Sequence, residues 1–347
     1  MRRQGSVRGP VRRTVLTAAI GLLAAGAAGC GLRLDRDPQM PALSPVDVLR
    51  DAVARILAAT QTDDGTAAAI RAFAEAVGPP WNPPAHLDEP VEAPNPDPPA
   101  ASLTEGLVDL TERIVDASTS LGPGTDPTFA VLADVAVGSL LLLDSHDAEA
   151  AAAIRSDLAA AMREVLDGDG SLVDGTEGSG TGSDGADSGA SGGAWPAGNV
   201  TVPEHEGDDV AHPLTALITA CYTGVYAYER AAVHLPDDDE ARRSAHTRID
   251  RLHAMTATAA TLEEDVAVPS DRPAWELPVS PRDGSTAREA LRIAEDGLVA
   301  VLADAQGSVP PAVFLSWLDD SGRARRRAEG SQDLRLTVVP RSDEEDG

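Results

Sequence analysis

The chain has 347 residues, 56 acidic and 28 basic side chains, a formal net charge of −28 at pH 7, and only 3% aromatic residues. Every basic side chain apart from His is Arg, and there are two Cys. The charge argues against a nucleic-acid partner, since such a protein needs a basic surface to neutralise phosphates. Two cysteines are too few for a disulfide-stapled scaffold. Abundant Ala with few aromatic residues favours an all-α fold over a β-sandwich.

The first thirty residues have the pattern of an export signal. Five Arg and no acidic residue precede an uncharged apolar stretch at 14–29, which is typical of a secretory signal peptide. Ala27-Ala28-Gly29-Cys30 resembles a bacterial lipobox, in which the Cys is acylated and becomes the first mature residue. We therefore predict a signal peptide at 1–29, lipid attachment at Cys30 and a polar tether at 30–44.

The sequence is compatible with more than one export pathway for this segment, and with either its cleavage or its retention. Arg12-Arg13-Thr14-Val15-Leu16 resembles a twin-arginine signal, so both general secretion and twin-arginine export are compatible with the sequence. An uncleaved N-terminal anchor with Cys30 as a bystander is the alternative. A cleaved and acylated chain would lie on the extracytoplasmic face of the cell membrane, held by its acyl chains.

Residues 45–166 predict an N-terminal helical region. Ser44-Pro45-Val46-Asp47 combines a capping Ser, a Pro at the first helical position and an acidic first turn. The Pro-rich stretch at 79–99 reads as an extended crossing segment, which Trp81 would pin to the core. The apolar run at 140–143 is too short to span a bilayer and predicts a buried helix. The predicted helices run from 45 to about 60, over 66–77, and onward from 103, from 126 and from about 147 to 166.

A Gly-, Ser- and Asp-rich stretch at 167–204 predicts a disordered linker, because it contains almost nothing apolar to bury. It is followed at 205–330 by four amphipathic helices with three connections, which indicate a four-helix bundle. Thr286-Ala287-Arg288-Glu289 matches a capping box at the start of the third of these helices. Residues 331–347 read as an acidic tail.

Several phrases resemble a group of actinobacterial lipoproteins that carry a C-terminal ferritin-like domain of unknown function. The resemblance covers roughly 208–330 and the junction at Cys30, and it implies a ferritin-like four-helix bundle without an established activity. The phrases that carry it are Gly29-Cys30-Gly31-Leu32-Arg33-Leu34-Asp35, Val225-Tyr226-Ala227-Tyr228, Ala245-His246-Thr247-Arg248, Trp275-Glu276-Leu277-Pro278-Val279 and Ala294-Glu295-Asp296.

A ferritin-type di-metal site needs inward-facing carboxylates and His from all four helices. The candidates here are Glu229, His246, Glu295, and Asp319 or Asp320. The position three before His246 holds Arg243 where the motif needs Glu, and the fourth helix has no His. We therefore predict no metal, cofactor-binding or catalytic residues.

Two further features of the bundle have a structural interpretation. Cys221 lies on an apolar helix stripe and is expected to be a small buried hydrophobe rather than a nucleophile. Arg323, Arg325, Arg326 and Arg327 form a basic run at a helix C-terminus, where they favour the helix dipole and can make internal ion pairs at a solvated end.

The sequence thus favours a non-catalytic envelope lipoprotein that acts by binding or structure, with the membrane and an unidentified envelope protein as partners. The alternative is a ferritin-like envelope metalloprotein that binds iron for redox or storage chemistry. Inward-facing carboxylates would distinguish the two. A further possibility is that both helical regions form one continuous bundle.

Overall fold

The computed structural model describes residues 42–83, 93–124, 126–168, 212–235, 239–263, 266 and 275–329. Within these ranges the chain is helical and forms no β-strand, which confirms the all-α prediction. The predicted signal peptide, Cys30, the acidic tail and nearly all of the predicted linker lie outside the described residues.

Nine described α-helices follow one another along the chain. They are α1 (Pro45–Ala59), α2 (Ala67–Val77), α3 (Leu103–Ser120), α4 (Thr128–His146), α5 (Ala148–Gly168), α6 (Pro213–Ala232), α7 (Asp239–Leu262), α8 (Gly284–Asp304) and α9 (Pro311–Glu329). The described residues from Ser44 onward fall in one compact unit. A single core cluster takes buried apolar side chains from all nine helices.

Helix starts follow local sequence signals. The Ser44 hydroxyl accepts a hydrogen bond from the Asp47 backbone N–H while the Asp47 carboxylate binds the Ser44 backbone, so the predicted start of α1 is confirmed. The third helix of the C-terminal region starts earlier than predicted. Asp283 caps α8 and Thr286 closes the capping box, whereas the sequence indicated Thr286 as the cap.

Helix α4 is the buried centre of the N-terminal region. It is the one helix in the described ranges that is long and apolar enough to cross a membrane, but 78% of its apolar window is buried inside the protein. It packs against α1, α2, α3, α5 and α9. These neighbours account for its apolar character on all sides, as expected for a core helix, and the prediction of a buried helix is confirmed.

A buried polar cluster ties the Pro-rich segment to α1. The fully buried Asp51 carboxylate accepts hydrogen bonds from the Arg55 guanidinium at 3.0 Å, the Trp81 backbone N–H at 2.8 Å and the Asn95 side chain at 3.0 Å. Arg55 also donates to the Trp81 carbonyl at 2.8 Å and pairs with Asp97. The Pro-rich segment is therefore held to α1 at two places. The Trp81 backbone holds its first described part, and Asn95 and Asp97 hold the part from 93 onward.

The two helical regions share one core. Helix α9 packs against α3, α4 and α5, in addition to α8. Arg155 on α5 bridges the Asp144 carboxylate of α4, at 2.6 Å, and the Asp319 carboxylate of α9, at 2.9 Å. Arg326 on α9 donates to the Leu141 carbonyl of α4. The sequence left the contact between the regions open, and the structure joins them by apolar packing and partly buried ion pairs.

Removing the carboxylate of Asp51 should destabilise the fold. Asp51→Ala leaves the largely buried Arg55 without its buried counter-charge, so we expect the free energy of unfolding to fall by about 3 kcal/mol. Urea unfolding followed by circular dichroism measures this. Asp64→Ala is the matched control, because Asp64 is exposed, and it should change the stability by less than about 0.5 kcal/mol.

The Asp51 contribution should also depend on pH. Burial alone would raise the pKa of Asp51, but hydrogen bonds from Asn95, Arg55 and Trp81 outweigh it and hold the pKa below its usual value. A carboxyl with a lowered folded pKa stabilises the protein above its unfolded pKa of about 4, and this is lost as the pH falls through the folded pKa. The stability difference between wild type and Asp51→Ala should shrink below about pH 4. A difference that stays constant to lower pH would contradict this account.

The Arg155 bridge should contribute to the stability of the joined unit. Arg155→Met leaves Asp319 buried with only Arg323 as a counter-charge, and we expect a loss of about 2 kcal/mol in denaturant unfolding. Arg163→Met lies two turns further along α5, where the exposed guanidinium bonds only the Ala159 carbonyl, and it serves as the control. Equal losses in both variants would show that the bridge adds no stability of its own.

Candidate functional site

Four polar side chains meet between helices α6, α7, α8 and α9, one from each helix. They are Tyr228 of α6, Arg248 of α7, Glu295 of α8 and Ser321 of α9. The Arg248 guanidinium binds Glu295 through two parallel hydrogen bonds, Nε to Oε1 at 2.9 Å and Nη2 to Oε2 at 2.7 Å. The Tyr228 hydroxyl donates to Glu295 Oε1 at 2.8 Å, and Arg248 Nη2 reaches the Ser321 hydroxyl at 2.8 Å. We call these four residues the bundle network.

The bundle network is almost entirely buried, and its charges are matched. Arg248 is 3% exposed and Glu295 1%. Burial opposes the charged form of Arg248, but the charge and hydrogen bonds of Glu295 outweigh it and raise the pKa of the guanidinium. Burial and the Glu295 charge also raise the pKa of Tyr228 well above its usual value, so this hydroxyl stays protonated and acts as a donor.

The structure does not bring the candidate metal ligands together. Glu229 and His246 lie exposed on the outer faces of α6 and α7. Glu295 and Asp319 are buried, but Glu295 binds Arg248 while Asp319 binds Arg155 and Arg323. Within the described ranges no three His, Cys, Asp or Glu side chains lie in a group that could hold a metal ion.

Cys221 has the environment of a packing residue. It is fully buried on α6, and burial raises the pKa of its thiol to about 12. At neutral pH the thiol is almost entirely protonated, whereas nucleophilic cysteines need a lowered pKa. The bundle interior therefore holds neither a metal ligand set nor an activated nucleophile among the residues described.

A cleft opens beside the bundle network, between α7, α8 and α9. It comprises a cavity of about 380 Å³ and a neighbouring one of about 240 Å³, which share Ser244, Arg248 and Arg327 as lining residues. Arginine dominates its charged lining. We call this feature the arginine cleft and define it by Arg243, Arg248, Arg251, Arg288 and Arg327.

The basic run of α9 divides between ion pairs and the cleft. Arg323 pairs with Asp319 at 3.1 Å and with Asp320, and Arg325 pairs with Asp296 at 2.9 Å. With Arg326 these side chains are only partly exposed, so the predicted internal ion pairs are present and the helix end is less solvated than predicted. Arg327 is exposed and faces the arginine cleft.

Sequence reasoning missed Arg248, although a signal was available. Ala245, Arg248, Leu252 and Met255 follow one another at helical spacing on the buried face of α7. A charged residue within an apolar stripe must find a buried counter-charge, because an isolated buried charge is strongly unfavourable. Glu295, which also borders an apolar stripe, was the available acidic partner.

Comparison with known proteins adds no assignment to this geometry. No protein-family model matches the chain, and no curated protein or solved structure matches it significantly. The bundle network and the arginine cleft must therefore be interpreted from their own residues.

Proposed function

We propose that this chain is a non-catalytic lipoprotein of the cell envelope, attached through Cys30 to the extracytoplasmic face of the cell membrane and acting by binding. The signal-like N-terminus and the lipobox-like junction support the anchor. The four helices α6–α9, each supplying one group to a common interior point, support a ferritin-like bundle. The resemblance to lipoproteins with such a domain is consistent with both parts of the proposal.

The observation that favours this proposal over the metalloprotein alternative is the Arg248–Glu295 pair. Ferritin-like metal proteins direct carboxylates and His from four helices toward a bound cation. In this bundle the inward carboxylate of Glu295 holds the guanidinium of Arg248 instead, at 2.7 Å. The positive charge that a metal would supply is thus provided by the chain itself, which favours a structural interior over metal chemistry.

The groups near the interior also favour binding over catalysis. The hydroxyl of Tyr228 and the thiol of Cys221 both have raised pKa values, so neither supplies a nucleophile or a base at neutral pH. The arginine cleft beside them is concave and combines basic side chains with apolar ones, as ligand sites commonly do.

The anchor can be tested by labelling. Cells that express the chain should incorporate radiolabelled palmitate into it, and Cys30→Ala should abolish the label because the acylated thiol is absent. Cys221→Ala removes the other cysteine and should label like wild type. Label that persists in Cys30→Ala would exclude the predicted attachment site.

The metal alternative can be tested with two glutamate variants. Glu295→Gln removes the counter-charge of Arg248, so we expect a loss of about 3 kcal/mol in denaturant unfolding, with or without ferrous iron. The exposed Glu229→Gln should leave stability unchanged, and iron should not raise the melting temperature of the wild type.

A ferritin-like metal centre predicts a different pattern. Wild type would bind about two irons per chain, gain thermal stability from them, and lose that gain in both glutamate variants. Such a result would replace the proposed function with iron chemistry.

A further inference from the structure

The arginine cleft carries more positive charge than the described carboxylates around it balance. Asp320 is the acidic side chain in its lining, and it is shared between Arg251 and Arg323. Arg243, Arg288 and Arg327 have no ion pair with any carboxylate in the described part of the chain. Among the described residues this local excess of positive charge marks a place where an anion is favoured.

A buried donor at this site has no acceptor. Arg248 lines both cavities, and its Nε and Nη2 atoms are occupied by Glu295 and Ser321. Its remaining nitrogen, Nη1, is buried without a hydrogen-bond partner among the described residues. A buried N–H group without an acceptor is unfavourable, and a ligand oxygen would satisfy it.

The cationic residues also disfavour one another. The pKa of Arg327 is lowered by partial desolvation and by the positive charges of Arg323 and Arg251. A bound anion would relieve this repulsion, so the cleft is most stable when negative charge enters it.

We infer that the arginine cleft binds a small organic phosphate, with the phosphoryl group among Arg243, Arg251 and Arg327 and within reach of Arg248. This inference rests on the proposed binding function and names its ligand class. A phosphoryl group fits better than a carboxylate because it carries up to two negative charges and three acceptor oxygens. Guanidinium groups on two helices can then bind different oxygens of the same group.

The other wall of the cleft explains why the phosphate should be organic. Leu235, Ala241, Ala245, Leu291 and Ala328 line the larger cavity together with the Tyr228 ring. This apolar surface cannot bind a phosphate but can cover a short hydrocarbon part of the same molecule. A volume of about 380 Å³ lies within the range of small-molecule sites.

Calorimetric titration of the full chain carrying Cys30→Ser tests the inference, because this change removes the acyl group. Hexyl phosphate should bind saturably, inorganic phosphate more weakly because it lacks the apolar part, and hexanoate more weakly because it carries one charge. Arg327→Gln and Arg243→Gln should each weaken hexyl phosphate binding about tenfold, as expected for loss of one charged hydrogen bond. Both side chains are exposed, so these variants should fold.

Arg71→Gln on α2 is the matched control. It makes the same charge change at an exposed position away from the cleft, and its affinity should stay within twofold of the parent. Absence of saturable hexyl phosphate binding would overturn the inference. Equal weakening in all three Arg variants, or hexanoate binding as tightly as hexyl phosphate, would overturn it as well.

The phosphate could belong to a free metabolite or to a lipid headgroup, and flotation with vesicles separates the two sources. Flotation of the Cys30→Ser chain with phosphatidic acid vesicles that is lost in Arg327→Gln would assign a lipid headgroup. Hexyl phosphate binding without flotation would assign a free organic phosphate. Failure of these titrations leaves the palmitate and iron experiments unaffected, so the ligand and the proposed function are tested separately.

Discussion

The packing of α6–α9 depends on one constraint: the guanidinium of Arg248 is almost entirely buried between these helices. A charge in that position must be matched at close range, because the low dielectric makes an unmatched charge strongly unfavourable. The match comes from Glu295, which Tyr228 orients and to which Ser321 adds a second acceptor for Arg248. Each of the four helices supplies one member. A shift of any helix along its axis would break at least one of these bonds, so the network fixes the register of the bundle.

Arginine–carboxylate pairs also stabilise the N-terminal region and the contact between the two regions. Asp51 holds Arg55 beneath the Pro-rich segment, and Arg155 joins Asp144 to Asp319 across the shared core. The pKa of each of these arginines is raised by its carboxylates, so each stays charged when buried. A lysine in the same places would lose its proton more readily and could not form the two-pronged pairs. The exclusive use of Arg over Lys therefore suits a fold that is joined by buried and partly buried ion pairs.

Most helices could be predicted from residues close together in the sequence, whereas the bundle network joins residues far apart in the sequence. Ser44 and Asp47 are three positions apart, and the periodic apolar residues of α4 and α6 specify their helices without reference to the rest of the chain. Arg248 and Glu295 are 47 residues apart, and nothing local indicates that they pair. The sequence correctly placed Glu295 among the inward candidates but also included Glu229 and His246, which the helix rotation puts at the surface. The arginine cleft was not predictable from periodicity, because it depends on the spacing between α7 and α9.

The acidic surface of the chain and its basic cleft interact with anions over different distances. At physiological ionic strength the field of the surface carboxylates is screened within about 8 Å, so it repels large polyanions that must lie along the surface. Inside the cleft the arginines act at contact distance between low-dielectric walls, where screening is weak. A small anion that enters the cleft meets the local attraction, while nucleic acid or an extended anionic surface meets mainly the repulsion. The net charge and the cleft together therefore select for ligand size, which is why the exclusion of nucleic acid and the inference of a small phosphate ligand are compatible.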